Sequence, residues 1–414
     1  MKDRILIIGA GAAGMMAAIA AAGAGAETLL LERNERPGRK IMITGKGRCN
    51  LTNRCDTNTL IASVPVNGRF LYGAFSRFGP ADMIDFCERN GLPVKTERGN
   101  RVFPVSDRAV DVVDLLWNRC HQLGCRRITT RVAHIRTENG AVCGVEAEDG
   151  SCWEANRVIL ATGGASYPAT GSTGDGYRMA HELGHTIVPP APSLIPMIAE
   201  EPDCAEMMGL SLRNTALRVV DTQTQKTVYE DFGEMLFTHF GVSGPMILSA
   251  SAHIRAPEPG RYVLHLNLKP ALSPEQLDAR LQREIQQTPN RDYANLLGAL
   301  LPAKMIPVFV RRSGIDGTVK ANQISREMRR TVLHLMQDFT VTLRGYRPIS
   351  EAIVTSGGVA VREVSPKTMA SRLVSGLYFC GEVLDVDAYT GGFNLQIAWS
   401  TGHLAGTSAA AYAE

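Results

Sequence analysis

An α/β architecture is the fold class this chain predicts: a parallel sheet assembled from strands far apart in sequence, interrupted by an inserted segment of different character. Three observations carry it. A strand, a glycine turn and a helix follow one another at the start of the chain; a strand ending in glycines returns twice, near residues 157–164 and 377–382; and between those returns the composition changes at a proline cluster. The length of 414 residues agrees, because single cores stop growing near about 250–300 residues and longer chains divide.

Composition narrows the class before any motif is read. With 44% hydrophobic and 21% charged residues the chain has the apolar material for packed cores and too little charge for disorder. The 40 glycines fall in clusters, which marks tight turns and close backbone approach. A net charge of +3 names no partner, and nine cysteines without a CxxC or a Cys/His metal spacing predict reduced thiols in a cytoplasm and no metal site.

The first element has to be told from a leader or a membrane span, since Ile5 to Ala26 carries no charge. The glycines decide against both, and no membrane association is expected. Ile5 to Ile8 reads as a buried strand, Gly9-Ala10-Gly11-Ala12-Ala13-Gly14 as the turn, and Met15 to Ala22 as the helix. A second strand, Thr28 to Leu31, ends in Glu32, at the distance where a dinucleotide-binding Rossmann unit places a carboxylate for a ribose hydroxyl. Gly9 permits the turn, Gly11 lets backbone N–H groups reach a pyrophosphate, Gly14 lets helix pack on strand, and the helix N-terminus favours the anion.

The next elements say which dinucleotide. After Glu32 the chain runs through Arg33, Gly38, Arg39 and Lys40 into Gly45-Lys46-Gly47-Arg48-Cys49-Asn50, a loop suited to a large phosphate-bearing ligand with a polar ring edge. The strand from Arg157 ends in Ala161-Thr162-Gly163-Gly164, and the strand from Leu377 ends in Gly381-Glu382, followed by Asp387. Gly391 and Gly392 then open a terminal helix through Asn394, Leu395 and Gln396. This layout resembles the glutathione-reductase-type FAD fold. The resemblance implies that the Gly381-Glu382 pair meets the ribityl-phosphate region, that the last helix points its N-terminus at the flavin, and that a strand near Val132 meets the adenine.

Between these pieces the expected domains are a discontinuous FAD domain, 1–189 and 346–414, with a β-meander at about 126–154, and an insertion, 190–345. The insertion reads as β-rich over about 190–270 and helical over about 271–345. Pro189 to Pro192 reads as a linker, and Ser273-Pro274-Glu275-Gln276 as a capped helix start.

The segments GRKIMITGKGRCNLTN, GEMLFTHFGVSGPMIL, VTSGGV and YFCGEVLDVDAYTGGFNLQIAWSTG are similar to those of the BaiN/RdsA-type flavoproteins, across essentially the whole chain. One departure is that the family usually has glycine where Lys46 stands. The family implies FAD-dependent reduction of a C=C bond, either of uridine in ribosomal RNA to dihydrouridine or of an unsaturated oxo-steroid of bile-acid metabolism.

The chemistry expected from the residues is consistent with that. Only one GxGxxG exists, so NAD(P)H is expected as a transient reductant, and without a CxxC the flavin must exchange hydride directly with bound molecules. Three residues are candidates for the proton donor. Cys49 lies in the loop beside Lys46 and Arg48, cations that would lower its pKa, unless it is a packed thiol; His239 and Tyr389 each have a structural reading beside the catalytic one. From 301 to 350 nine Lys/Arg stand against three Asp/Glu, and Arg311, Arg312, Lys320, Arg326, Arg329 and Arg330 are the candidates for gripping RNA phosphates, against the reading of a solvated face. Uridine in ribosomal RNA is therefore the leading substrate. A small enone is the runner-up, with a flavin-dependent amine oxidase and a non-catalytic, FAD-stabilised nucleic-acid-binding or redox-sensing protein as further alternatives.

Overall fold

The computed structural model describes residues 4–254 and 257–411, in two compact units: Met1–Ser193 with Pro348–Glu414, and Leu194–Arg347. In the first unit five parallel strands lie in the order Leu377–Phe379, Arg157–Leu160, Arg4–Ile8, Glu27–Glu32, Arg126–Thr129. Ile5 sits opposite Arg157 on one side and Thr28 on the other, so neighbours in the sheet come from distant parts of the chain. This is the discontinuous Rossmann-like sheet that the fold class predicts. Ile5, Leu6 and Ile7 are wholly buried, which is why the strand reads as an unbroken apolar run rather than an alternating one.

The helix Ala12–Gly23 follows the glycine turn, and the terminal helix Phe393–Ala411 packs along it. A Cβ on Gly402 or Gly406 would overlap the carbonyl oxygens of Ala13 and Ala17, so the two backbones touch there. That close approach accounts for the small residues in both helices.

Two expectations for this unit need correction. The meander starts at Val132, as Val132–Glu138, Ala141–Ala147 and Cys152–Glu154; Arg126–Thr129 instead pairs in parallel with Glu27–Glu32, because the helix Ala109–Gln122 serves as a crossover before it. The prolines at 189–192 are no linker. They lie in the strand Ile187–Ser193, antiparallel to Val354–Val359, with a register shift between Val188 and Ala191 that takes the two N–H-less residues Pro189 and Pro190 out of the ladder.

The second unit is a closed six-stranded barrel, in the order Met197–Ala199, Gly241–Ser243, Lys226–Thr238, Ser211–Asp221, Tyr262–Asn267, Phe339–Tyr346. Helices Pro274–Gln287, Ile306–Ser313 and Arg326–Gln337 come between its last two strands. The capping box is as expected: the Ser273 hydroxyl accepts from the Gln276 N–H, and the Gln276 side chain accepts from the Ser273 N–H. The expected all-helical stretch to 345 is corrected by the last strand, where buried Phe339, Val341 and Leu343 alternate with Thr340 and Thr342 in the two-residue period of a strand. Among the described residues no helix is long and apolar enough to cross a membrane.

Candidate functional site

The glycine turn is built by steric exclusion. Gly9 has φ +101°, and a Cβ there would meet the Ala161 carbonyl oxygen at 2.6 Å, so the start of the turn is pressed against the end of a neighbouring strand. A Cβ on Gly14 would overlap the Gly9 carbonyl. A Cβ on Gly11 would meet nothing within 4 Å: the space in front of this helix N-terminus is open, with Ala13 buried behind it. Open space at the positive end of a twelve-residue helix suits an anion.

Glu32 is buried beside that opening. Its Oε2 accepts from the Ala10 N–H at 2.7 Å, and its Oε1 accepts from the backbone and side-chain N–H groups of Asn34, both at 2.8 Å. Arg33 donates to Thr173 (2.7 Å) and to Asp175 (2.9 Å), drawing the Gly171–Gly176 segment over this edge. Asp175 also pairs with Arg131, and these two guanidinium groups hold its carboxyl below the usual range despite partial burial. Val132, next to Arg131, is buried. Gly38 donates to Ala10 O, and Arg39 reaches Asn34 Oδ1 at 3.0 Å.

At the other side, Ala161 donates to Ile8 O, and Thr162 Oγ1 is a buried hydroxyl without a hydrogen-bond partner among the described residues. Gly164 presses on Thr355, and a Cβ on Gly381 would meet Ala13 Cβ. Glu382 lies beside these turns: Lys40 Nζ is 2.7 Å from its Oε2, and its Oε1 accepts from the Thr355 N–H at 2.8 Å. These contacts hold the Glu382 carboxyl below the usual range against the opposing effect of burial.

The 44–53 segment meets the start of the terminal helix. Asn53 Nδ2 donates to Gly391 O at 3.1 Å, Trp399 Nε1 to Leu51 O at 2.9 Å, and a Cβ on Gly392 would meet the Thr52 backbone. Asn50 faces Gly392 here: with its amide turned so that the oxygen meets a donor, it would accept the Gly392 N–H at 3.0 Å. Gln396 and Asn394 spend their amides on the protein: Gln396 on Thr52, Phe78 and Ser400, Asn394 on Ala388 and Tyr389, with Leu395 half-buried between. Asp387 accepts from the Ser193 hydroxyl at 2.6 Å.

Within the loop, Gly45, Lys46 and Gly47 all have positive φ, with Lys46 exposed at φ +59°. Arg48 is turned away: its guanidinium pairs with Glu97 and Asp107, which raises its pKa, and lies 4.2 Å from the Phe103 ring centre. The expectation of a cation-lowered Cys49 thiol is thereby corrected. Cys49 has no exposed surface, and burial pushes its pKa up to about 12, so it is a neutral packed thiol. Tyr389 is half-buried, its N–H donating to Ser63 O. His239 belongs to the other unit, exposed in the turn after Lys226–Thr238 and edge-on to Phe240.

Sequence reasoning missed Asn34, Ser166, Thr355 and Asp175. Asn34 carried a local signal, two residues beyond Glu32. Thr355 stood inside the VTSGGV segment and Ser166 outside every segment singled out, and nothing joined the two, because 189 positions separate them.

The chain matches the model described as HI0933-like protein Rossmann domain over residues 3–408. The chain belongs to this family. It is 33% identical, over 99% of both chains, to the 3-dehydro-bile acid delta(4,6)-reductase of Clostridium scindens. It is 32% identical to the ribosomal RNA dihydrouridine synthase of Escherichia coli, over 96% of this chain and 95% of that one. A solved 3-ketosteroid delta1-dehydrogenase of Sterolibacterium denitrificans superposes with a TM-score of 0.53 at 12% identity, over 99% of this chain and 100% of that one, a likeness of fold. The fold is the Rossmann-type FAD domain with a β-rich insertion, and the HI0933-like chain keeps the turn, the acid and the closing helix in one unit.

The basic candidates in the second unit are mostly paired. Arg311 meets Asp203 and Glu206, Arg312 meets Asp203 and lies on the Phe339 ring, Lys320 meets Asp292 at 2.6 Å, and Arg329 meets Asp278 at 3.1 Å. Arg326 and Arg330 are exposed, with no ion pair among the described residues. The excess of nine cations over three anions is thus local to the sequence, its counter-ions being supplied from outside the stretch.

Proposed function

We propose that this HI0933-like protein is an FAD-dependent oxidoreductase that reduces a C=C bond conjugated to a carbonyl, its flavin having been reduced by NAD(P)H. The observation that carries the reading is the gathering, in one unit, of the open Gly11 turn, the buried Glu32, the unpartnered Thr162 hydroxyl, the Glu382 carboxylate and the start of the terminal helix. These residues fit FAD: backbone N–H groups before Ala12–Gly23 for the pyrophosphate, Glu32 for a ribose, Glu382 for ribityl hydroxyls, and Gly391, Gly392 and the N–H groups of the helix start for a polar ring edge. When bound, the flavin supplies the hydride. The protein supplies orientation, water exclusion and a proton, and Tyr389 is the donor we carry forward, because Cys49 has no exposed surface.

Uridine in ribosomal RNA is the leading substrate, supported by the name of the Escherichia coli relative and by the exposed Arg326 and Arg330. A small steroid-like enone is the second reading, favoured by the four paired cations and by the Clostridium scindens relative. Uridine and an oxo-steroid alkene share the same polarised group, so one site chemistry serves both. The test is anaerobic reduction of the purified protein by NADPH, then reoxidation by ribosomal RNA transcripts or by a small enone. Reoxidation by RNA with dihydrouridine formed supports the first reading, and reoxidation by the enone alone supports the second. Protein that purifies without flavin and takes up none defeats both.

A further inference from the structure

Lys40 reads in the sequence as a cation for a ligand phosphate, and the structure gives it different work. Its Nζ lies 2.7 Å from Glu382 Oε2, 3.1 Å from Glu382 Oε1 and 2.7 Å from the Ser166 hydroxyl. Glu382 Oε1 also accepts from the Thr355 N–H at 2.8 Å and the Ser166 hydroxyl at 3.1 Å. Thr355 Oγ1 in turn accepts from the N–H groups of Ala165 (2.8 Å) and Ser166 (3.0 Å), fixing the turn that carries Ser166. The carboxylate's own backbone is held by the Gly381 N–H, which donates to Thr401 Oγ1 at 2.9 Å. Lys40 and Glu382 keep 24% and 20% of their side-chain surface, so the pair is neither fully sealed nor free in water.

From this geometry we infer that Lys40, Ser166 and Thr355 are positioning residues that hold Glu382 as a fixed anion for the hydroxyl groups of the bound dinucleotide. The inference rests on the FAD reading above. An ionised carboxylate accepts hydroxyl protons more strongly than a neutral carboxyl and can keep the Thr355 N–H at the same time. Lys40 is the cation in the set of contacts that keeps it ionised. Burial acts the other way on Glu382 and is the largest single influence on it; the Lys40 charge and hydrogen bond outweigh it only together with the Thr355 N–H and the Ser166 hydroxyl. The other groups facing it do not replace that charge: the Tyr177 hydroxyl donates to the Glu382 backbone oxygen at 3.4 Å and burial pushes its own pKa up, while Asp385 is a further anion on the same loop. Without Lys40, burial is opposed only by the Thr355 N–H and the Ser166 hydroxyl, so the Glu382 pKa should rise and the carboxylate should be more readily protonated as the pH falls.

The test is FAD affinity, measured by flavin fluorescence quenching on the full-length apoprotein at several pH values from about 5.5 to 8.5, where FAD itself keeps a constant charge. Wild type should change less than about twofold across the range. Lys40→Met should bind about tenfold or more weakly at the acid end and recover toward the alkaline end, a pH slope the wild type lacks. Lys40→Arg should restore the flat profile. Adding Glu382→Gln to Lys40→Met should leave weak binding with no slope, because the titrating group is gone. A Lys40→Met profile parallel to wild type at every pH would overturn the inference while leaving the FAD reading intact. Failure of wild type to bind FAD would overturn the FAD reading and this inference with it. Should Lys40→Met not fold, Ser166→Ala reads the same effect at about two- to fivefold at the acid end only, and a flat Ser166→Ala profile would count against the proposal.

Discussion

The glycine turn of the nucleotide unit and the basic stretch of the barrel unit are both short segments dominated by one kind of residue, and only the first means in three dimensions what it means in sequence. Gly9, Gly11 and Gly14 act through backbone a few residues away and through one strand end, so their spacing already contains the geometry. The cations of 301–350 act through charge, and charge is cancelled by whatever the fold brings up. Asp203, Glu206, Asp278 and Asp292 do that from outside the stretch, and over 194–347 the sequence holds 18 Lys/Arg against 16 Asp/Glu. Steric requirements are local; electrostatic ones are summed over the whole unit.

The largest effect expected from this contrast lies inside the glycine turn itself. Gly14→Val places a side chain on the Gly9 carbonyl and should cost more than about 4 kcal/mol, giving little folded protein by circular dichroism. Gly11→Val meets only open space, so it should fold with the melting temperature of wild-type apoprotein yet carry no FAD. Both variants unfolded, or a yellow Gly14→Val protein, would erase the distinction between a packing glycine and a ligand-facing one.

The same contrast can be sharpened in the barrel. Asp203 is buried, with its side chain 12% exposed between Arg311 and Arg312, and those guanidinium groups hold its pKa down against burial. Removing it strands Arg312, which is itself 16% exposed, so Asp203→Ala should destabilise the protein by about 2–4 kcal/mol. Because the folded-state pKa is depressed, the stabilisation is fully present above the unfolded value near about 4 and is lost as the pH falls through the folded value. Urea midpoints of wild type and variant should therefore converge only in strong acid. Equal midpoints at neutral pH would mean that the pair is a spectator and that Arg311 is available to a partner.

How much was legible follows the same division. The first strand, the helix after the turn, the Glu32 position and the Ser273 capping box each depend on residues close together in sequence, and each is found. The Pro189–Pro192 segment misled, since two prolines look like a break unless one knows that a bulge takes them out of the ladder. Phe339–Tyr346 was hidden because its alternation follows directly on a charged helix. The Lys40–Ser166–Thr355–Glu382 cluster could not be read at all, as its members are 126 to 342 positions apart in their contacts with Lys40.

A smaller effect separates the cations of one helix. If RNA is the substrate, log K should fall with log salt by about 0.7 per phosphate contact on single strands. Arg326→Ala and Arg330→Ala should each flatten that slope by about one such step, whereas Arg329→Ala should change it little, because Asp278 already holds that guanidinium at 3.1 Å. Three equal slopes would show that ion pairs in the free protein do not predict which cations meet the ligand.

The smallest effect belongs to the residue where both kinds of segment meet. Lys46 is a cation by type and a glycine by backbone, exposed at φ +59° between two glycines that also have positive φ. The left-handed conformation costs an ordinary residue about 1–2 kcal/mol, while replacing it by glycine costs about 0.5–1 kcal/mol in unfolded-chain entropy. Lys46→Gly should therefore raise the apoprotein's stability by about 0.5 kcal/mol, a small rise in urea midpoint with an unchanged slope. The ammonium has no ion pair among the described residues, so no folded-state contact is lost to offset that gain. If the lysine serves an anionic ligand, the same variant should reduce more slowly with NADPH while being harder to unfold. A variant both less stable and equally fast would show that Lys46 is neither strained nor used, and that its positive φ belongs to the loop rather than to the residue.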